Sequence, residues 1–258
     1  MDRSFLTSAA VVEASREFVC IRLATYEDRE EARFLKQIFT GRSGELENTV
    51  FCLLAPDGRQ RISRAGRGPG FRSDRQMAAE MRELARQYES RNDDRIPRLP
   101  QLKNVRLGLN VARCDNLPLL VCLANSQEAL VKMHRQLAPL AFSPELAGRL
   151  IYASSTEPAE LKAVRGTIPE SGFLVIDPGT FGVDGELETT MAAGATTAEL
   201  SEQLRGLVTR FDRRQRQHHQ HVREGRRKGL DWETEIPVTD PMSNQARERG
   251  SGSRRRKR

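Results

Sequence analysis

Residues 117–128 read Leu-Pro-Leu-Leu-Val-Cys-Leu-Ala-Asn-Ser-Gln-Glu, and this stretch decides the fold. Leu117–Leu123 is an apolar run of strand length, which is the pattern of a strand covered on both faces. Ser126 then opens a predicted helix over Ser126–Leu140 (SQEALVKMHRQLAPL), with Glu128 in its first turn and Pro139 limiting its end. A buried strand that runs directly into an amphipathic helix is the building unit of an α/β domain.

Downstream, the alternation continues. Leu150–Ala153 predicts a strand, Glu157–Val164 a helix with an early proline, Phe173–Ile176 a strand, Glu186–Met191 its hairpin partner and Thr196–Phe211 a last helix capped by Thr196. Upstream, Val105–Val111 (VRLGLNV) alternates and predicts another strand. Glu89–Asn104 (ESRNDDRIPRLPQLKN) combines charge with two prolines and has no periodicity, which places a linker there and a boundary near residue 98. Before the linker come helices over Ser8–Arg16, Asp28–Phe39 and Ser73–Tyr88. Strands are predicted at Phe18–Leu23 and Val50–Ala55, then a turn at Pro56-Asp57-Gly58, an edge strand at Arg59–Arg64 and a loop at Ala65–Gly70. The two segments end in the same order of elements, an internal structural repeat with little identity.

The charge is unevenly placed. The chain of 258 residues carries +7, yet residues 213–258 hold 14 Lys+Arg against 6 Asp+Glu, leaving the rest near neutral. Arginine supplies most of the cations, as a GC-rich genome would. The basic stretch is too poor in apolar residues to offset its ordering entropy, so disorder is expected there after a helical extension. No run approaches the length of a membrane span, and Met1–Ala10 lacks a signal-peptide pattern, so the expected location is cytoplasmic.

The second segment resembles the thioredoxin fold. The residues that carry the resemblance are Pro118–Ala124 (PLLVCLA), similar to the central strand before the family's redox loop, and FLVIDPG (Phe173–Gly179), similar to the strand and turn near its end. Gly166-Thr167-Ile168-Pro169 falls where the family has its cis-proline, with Pro169 several residues further from the strand than the family norm. The first segment is similar to the last two thirds of the same fold and lacks the central strand, whose absence would leave backbone groups unpaired. A strand borrowed from Val105–Val111, a strand exchanged between chains, or a start upstream of Met1 would each supply it. The expected architecture is therefore α/β: an incomplete thioredoxin-like domain over 1–97, a thioredoxin-like domain over 98–212, and a basic, largely disordered tail over 213–258.

Thioredoxin chemistry needs two thiols two residues apart at a helix N-terminus, where one is held as thiolate and the other resolves the mixed disulfide. Cys20, Cys52, Cys114 and Cys122 are separated by 31, 61 and 7 residues, and the loop after Ala124 reads Asn125-Ser126-Gln127-Glu128. Three of the four lie in apolar runs, where a thiol is a small inert hydrophobe. Cys114, in the polar stretch ARCDN, is the one reactive candidate, and a hairpin over 105–123 would bring it near Cys122.

Other motifs are weaker. His218, His219 and His221 have an HxH spacing but no fourth ligand and many arginine neighbours, so no metal and no cofactor is expected. The loop AGRGPG at 65–70 lacks both phosphate-loop arrangements, and no hydrolase motif is present. Arg213, Arg214, Arg226, Arg227, Lys228, Arg254, Arg255 and Arg256 are candidates for weak, sequence-blind nucleic-acid contact. What the resemblance implies is a redox-inactive module that offers a groove formed by Asn125, Ser126, Gln127, Glu128, Ile168 and Pro169 to a protein partner. A homodimer is one candidate assembly. The alternative is a thiol-disulfide oxidoreductase with a non-standard or upstream cysteine.

Overall fold

The computed structural model describes residues 5–41, 44–46, 50–66, 72–88, 98–211, 218–241 and 244–245. The chain divides into two compact units, Met1–Asn92 with Trp232–Arg258, and Asp93–Asp231.

The second unit is an α/β sandwich on a six-stranded mixed sheet. Its elements are β1 (Gln101–Leu102), α4 (Val105–Asp115), β2 (Leu119–Leu123), α5 (Gln127–Ala141), β3 (Ile151–Ser155), a short 3-10 turn at Pro158–Leu161, β4 (Val164–Arg165), β5 (Gly172–Pro178), β6 (Gly185–Met191), α6 (Thr197–Arg210) and α7 (His218–Arg227). The strand order is β1-β3-β2-β5-β6-β4. β1, β3 and β2 are parallel, β5 is antiparallel to both β2 and β6, and β4 is parallel to β6.

Strand β2 is central, and all five of its residues have 0% exposure. Its alternation divides them: Leu119, Val121 and Leu123 pack with Val105, Leu109 and Ala112 of α4, while Leu120 and Cys122 pack with Leu130, Met133 and Leu137 of α5 and Leu200, Leu204 and Leu207 of α6. Each face of the sheet is thus sealed by the apolar stripe of a helix. Burying a leucine side chain in this way is worth about 2 kcal/mol.

Two expectations are corrected here. Val105–Val111 is the first half of α4, not a strand, because Val105, Leu109 and Ala112 recur at i, i+4 and i+7, and Asn104 caps the helix by accepting from the Leu107 N–H at 2.8 Å. Gly108, which looks like a breaker, lets α4 lie close to β2: a Cβ there would meet Leu119 Cδ1 at 2.9 Å. α5 ends at Ala141, one residue beyond the predicted Leu140, with Pro139 in its last turn. Glu157–Val164 forms only the 3-10 turn and β4.

The first unit contains α1 (Ala9–Ser15), α2 (Arg29–Ile38) and α3 (Asp74–Arg86). Asp28 caps α2 by accepting from the Glu30 and Glu31 N–H groups, and Ser73 caps α3. Phe5, Val11, Ala14, Leu53, Met77, Ala78 and Met81 form its core. The predicted strands Val50–Ala55 and Arg59–Arg64 form no continuous ladder: the isolated bridges Phe51–Gly66 and Leu54–Arg61 and hydrogen bonds from the Ala55 N–H to the Gln60 carbonyl and from the Ile62 N–H to the Leu53 carbonyl join residues 51–55 to 60–66 across the Asp57 turn. Phe18–Leu23 forms no strand, with Val19 and Ile21 exposed. Among the described residues this unit has no named strand. The borrowed strand is excluded by α4.

The basic stretch begins with the expected helical extension, at His218–Arg227, but residues 232–240 belong to the first unit. There the Trp232 Nε1–H donates to Glu27 Oε1 at 2.7 Å and the Ile236 N–H to the Tyr26 carbonyl at 2.9 Å. The Asp240 N–H donates to the Tyr26 hydroxyl at 3.1 Å, which itself donates to the Leu46 carbonyl. Ile236 and Val238 cover Tyr26, Ala32 and Leu46. Disorder therefore does not hold over 232–240.

Candidate functional site: the outgoing end of the sheet

Register shows what meets at one end of the sheet. Leu123 at the end of β2 pairs with Ser155 at the end of β3 and with Gly172 at the start of β5, and Phe173 pairs with Met191 at the end of β6. The connections after residues 123, 155 and 191 and the approach to residue 172 therefore share this end, together with the N-termini of α4, α5 and α6. Gly172 is required there. Its φ is +149, and a Cβ would sit 2.6 Å from the Met191 carbonyl oxygen.

Of the predicted groove, Asn125–Glu128 lies at this end, with Asn125, Gln127 and Glu128 exposed. Ser126 is the N-cap of α5 and accepts from the Ala129 N–H at 3.2 Å. Ile168 packs against the core on the α4 side of the sheet, and Pro169 follows it, three residues before β5. No peptide bond among the described residues is cis, so Ile168–Pro169 is trans.

Electrostatics at this end are set by carboxylates and caps. The Glu128 carboxyl is held below its usual range by a hydrogen bond from its own N–H and by the Ser126 hydroxyl. Glu199 is lowered in the same direction by the Thr196 N–H and hydroxyl, in a capping box that opens α6. Glu160 accepts from the Val105 N–H at the start of α4. Three helix N-termini that would favour an incoming anion or thiolate are each already met by a side chain of the chain itself.

The sulfurs are elsewhere. Cys122 is fully buried, and burial pushes its thiol up to about 12. Cys52, in the first unit, is raised by burial, with Arg61 acting against it. Cys20 is exposed and donates to the Ser15 carbonyl. Cys114 is exposed in the last turn of α4, next to Asn110 and at the incoming end of β2, so the proposed hairpin and its approach to Cys122 do not occur. All four are free.

Among the described residues no cluster of His, Cys, Asp and Glu could hold a metal ion. His221 stacks on Phe181, and the side chains of His218 and His219 lie outside the described residues. So do Arg213, Arg214, Arg254, Arg255 and Arg256, and residues 67–70 of the glycine-rich loop. Arg226, Arg227 and Lys228 are exposed on or just beyond α7. Among the described residues no helix is long and apolar enough to cross a membrane.

Two features carry no signal in the sequence. His134 Nε2 is 2.7 Å from Ser154 Oγ, which donates to Gln101 Oε1, a polar chain tying α5 to β3 and β1. With the hydroxyl proton directed to the amide, the imidazole acts as the donor to Ser154, and burial lowers its proton affinity. A cavity of about 300 Å³ lined by Leu117, Pro118, Arg149, Val208 and Phe211 lies at the opposite end of the sheet. Both bring together residues far apart along the chain, and no local pattern marks either. No family model matches this chain, and neither the curated proteins nor the solved structures contain a match.

Proposed function

We propose that the second unit is a redox-inactive, thioredoxin-like module that binds a protein partner at the outgoing end of its sheet. The strand order, with a single strand antiparallel to its neighbours on both sides, and helices on both faces support the likeness. The first unit, which has only isolated bridges among its described residues, gives no support to a second such module. The observation that carries it is Ser126: the helix-opening position that the family's chemistry needs for sulfur holds a hydroxyl engaged in capping, with Asn125, Gln127 and Glu128 around it. A hydroxyl cannot form the mixed disulfide on which the exchange reaction depends.

The test has two arms on the full chain. Insulin-disulfide reduction should not exceed the no-protein control, and Cys114→Ser should leave it there. A photo-crosslinker placed at Gln127 should capture a protein that the same group placed at Cys114 does not. Reduction of insulin that Cys114→Ser abolishes would overturn the redox-inactive reading, and identical capture at both ends of the sheet would overturn the site.

A further inference from the structure

We propose that the outward face of α7 is a surface for the phosphodiester backbone of nucleic acid, held in orientation by Phe181. α7 is fixed on one side. The His221 ring stacks on Phe181 with centroids 4.9 Å apart and an interplanar angle of 28°, and Lys228 Nζ lies 5.1 Å from the ring centroid. Gly225 is buried so closely against the same ring that a Cβ would touch it at 3.4 Å. These three positions are spaced i, i+4 and i+7, one face of a helix at about 3.6 residues per turn.

With that face committed, rotation about the helix axis is set. Arg223, Arg226 and Arg227, spaced i, i+3 and i+4, point the other way and are all exposed. Neighbours at these spacings have Cβ atoms about 5–6 Å apart, so their guanidinium forks form a compact array suited to phosphate oxygens. The end of the helix is also well defined. The Leu230 N–H closes on the Gly225 carbonyl at 3.0 Å and Gly229 takes a φ of +73, while Arg226 and Arg227 complement the helix C-terminus. Glu224, between Arg223 and Arg226 in the helix, accepts from the Gln220 amide at 3.0 Å.

The chemistry of the face selects its partner. It carries no aromatic ring to stack on a base, so contact goes to the backbone and is indifferent to sequence. It also carries no apolar residue to enter a lipid interface, because the less polar side of α7 is occupied by Phe181. A flexible basic run would bind through charge alone; an anchored helix adds a dependence on the ring beneath it.

The experiment is fluorescence anisotropy of the full chain with a labelled single-stranded RNA and a labelled duplex DNA of mixed sequence, between about 50 mM and about 200 mM salt. The expected result is binding of both, weakening steeply with salt. The combined Arg223→Gln, Arg226→Gln and Arg227→Gln variant should lose about 10-fold or more in affinity and flatten the salt slope by about three. Phe181→Ala, which leaves every cation in place, should lose several-fold, and Phe181→Tyr should bind as the unaltered chain does. If Phe181→Ala lowers helix content, His221→Ala removes the stack while sparing the ring and carries the same expectation. Wild-type affinity in the triple variant would overturn the surface, and wild-type affinity in both ring-contact variants would overturn its anchoring. Equal or tighter binding to anionic phosphatidylserine vesicles would reassign the partner to a membrane.

Discussion

Val50–Ala55 (VFCLLA) and Leu119–Ala124 (LLVCLA) are nearly the same in composition, yet the first makes two isolated bridges and the second is the centre of a six-stranded sheet. What separates them is their surroundings. β2 has a strand on each edge and helices on each face, and each of its residues is fully buried. Of residues 51–54 only Leu53 is buried, with a single partner segment at 59–66. An apolar run specifies a willingness to be buried; neighbours on two edges and two faces make it a strand.

The widest consequence should appear in the two cysteines these runs contain. Under native conditions a thiol reagent should modify Cys122 on the order of 100-fold more slowly than Cys52, since Cys122 must wait for unfolding and has its thiol pushed up to about 12. Peptide mapping after timed labelling reads this directly, and comparable rates would mean that the two runs are equally open.

Core truncation comes next. Leu120→Ala should destabilise the second unit by about 3 kcal/mol, whereas Leu54→Ala, at a half-buried position, should cost the first unit about 1 kcal/mol. Urea titrations followed by circular dichroism compare them, and equal losses would erase the distinction drawn above.

Much of the second unit is legible in the amino-acid sequence, because β2, β3, β5 and β6 and helices α5 and α6 announce themselves by periodicity and caps. Val105–Val111 is not, since its apolar residues satisfy both a period of two and the helical i, i+4 spacing, and the close approach to Leu119 that Gly108 permits has no local sequence pattern. The candidate site is half legible. Ser126 is marked by its cap pattern, but Ile168 is placed by its packing against the core on the α4 side, and the Gln101–Ser154–His134 chain joins residues that only the sheet brings together.

Smaller effects sharpen the comparison from the helix ends. Thr196→Ala removes the capping box of α6 and should cost about 1 kcal/mol at neutral pH. Glu199 has its folded-state proton affinity lowered, so its contribution is complete above the usual carboxylate value of 4.5 and fades as pH falls through the lower folded value. Thermal melts should therefore show the gap between wild type and Thr196→Ala narrowing below that pH, and a constant gap would count against the box. Smallest of all is Tyr152→Phe. The Tyr152 hydroxyl is buried with no hydrogen-bond partner among the described residues, so its removal should leave stability within about 1 kcal/mol, on the favourable side. A large loss in a urea titration would reveal a partner for it.

The return of residues 232–240 to Tyr26 and Glu27 imposes an order on biosynthesis. The sheet unit has every strand it needs once residue 191 has left the ribosome, while the amino-terminal unit must hold its Tyr26 pocket uncovered until Asp240 emerges. A truncated transcript that ends after α7 would thus yield a finished sheet attached to an unfinished first half, and quality control would meet the earliest-made part of this chain last.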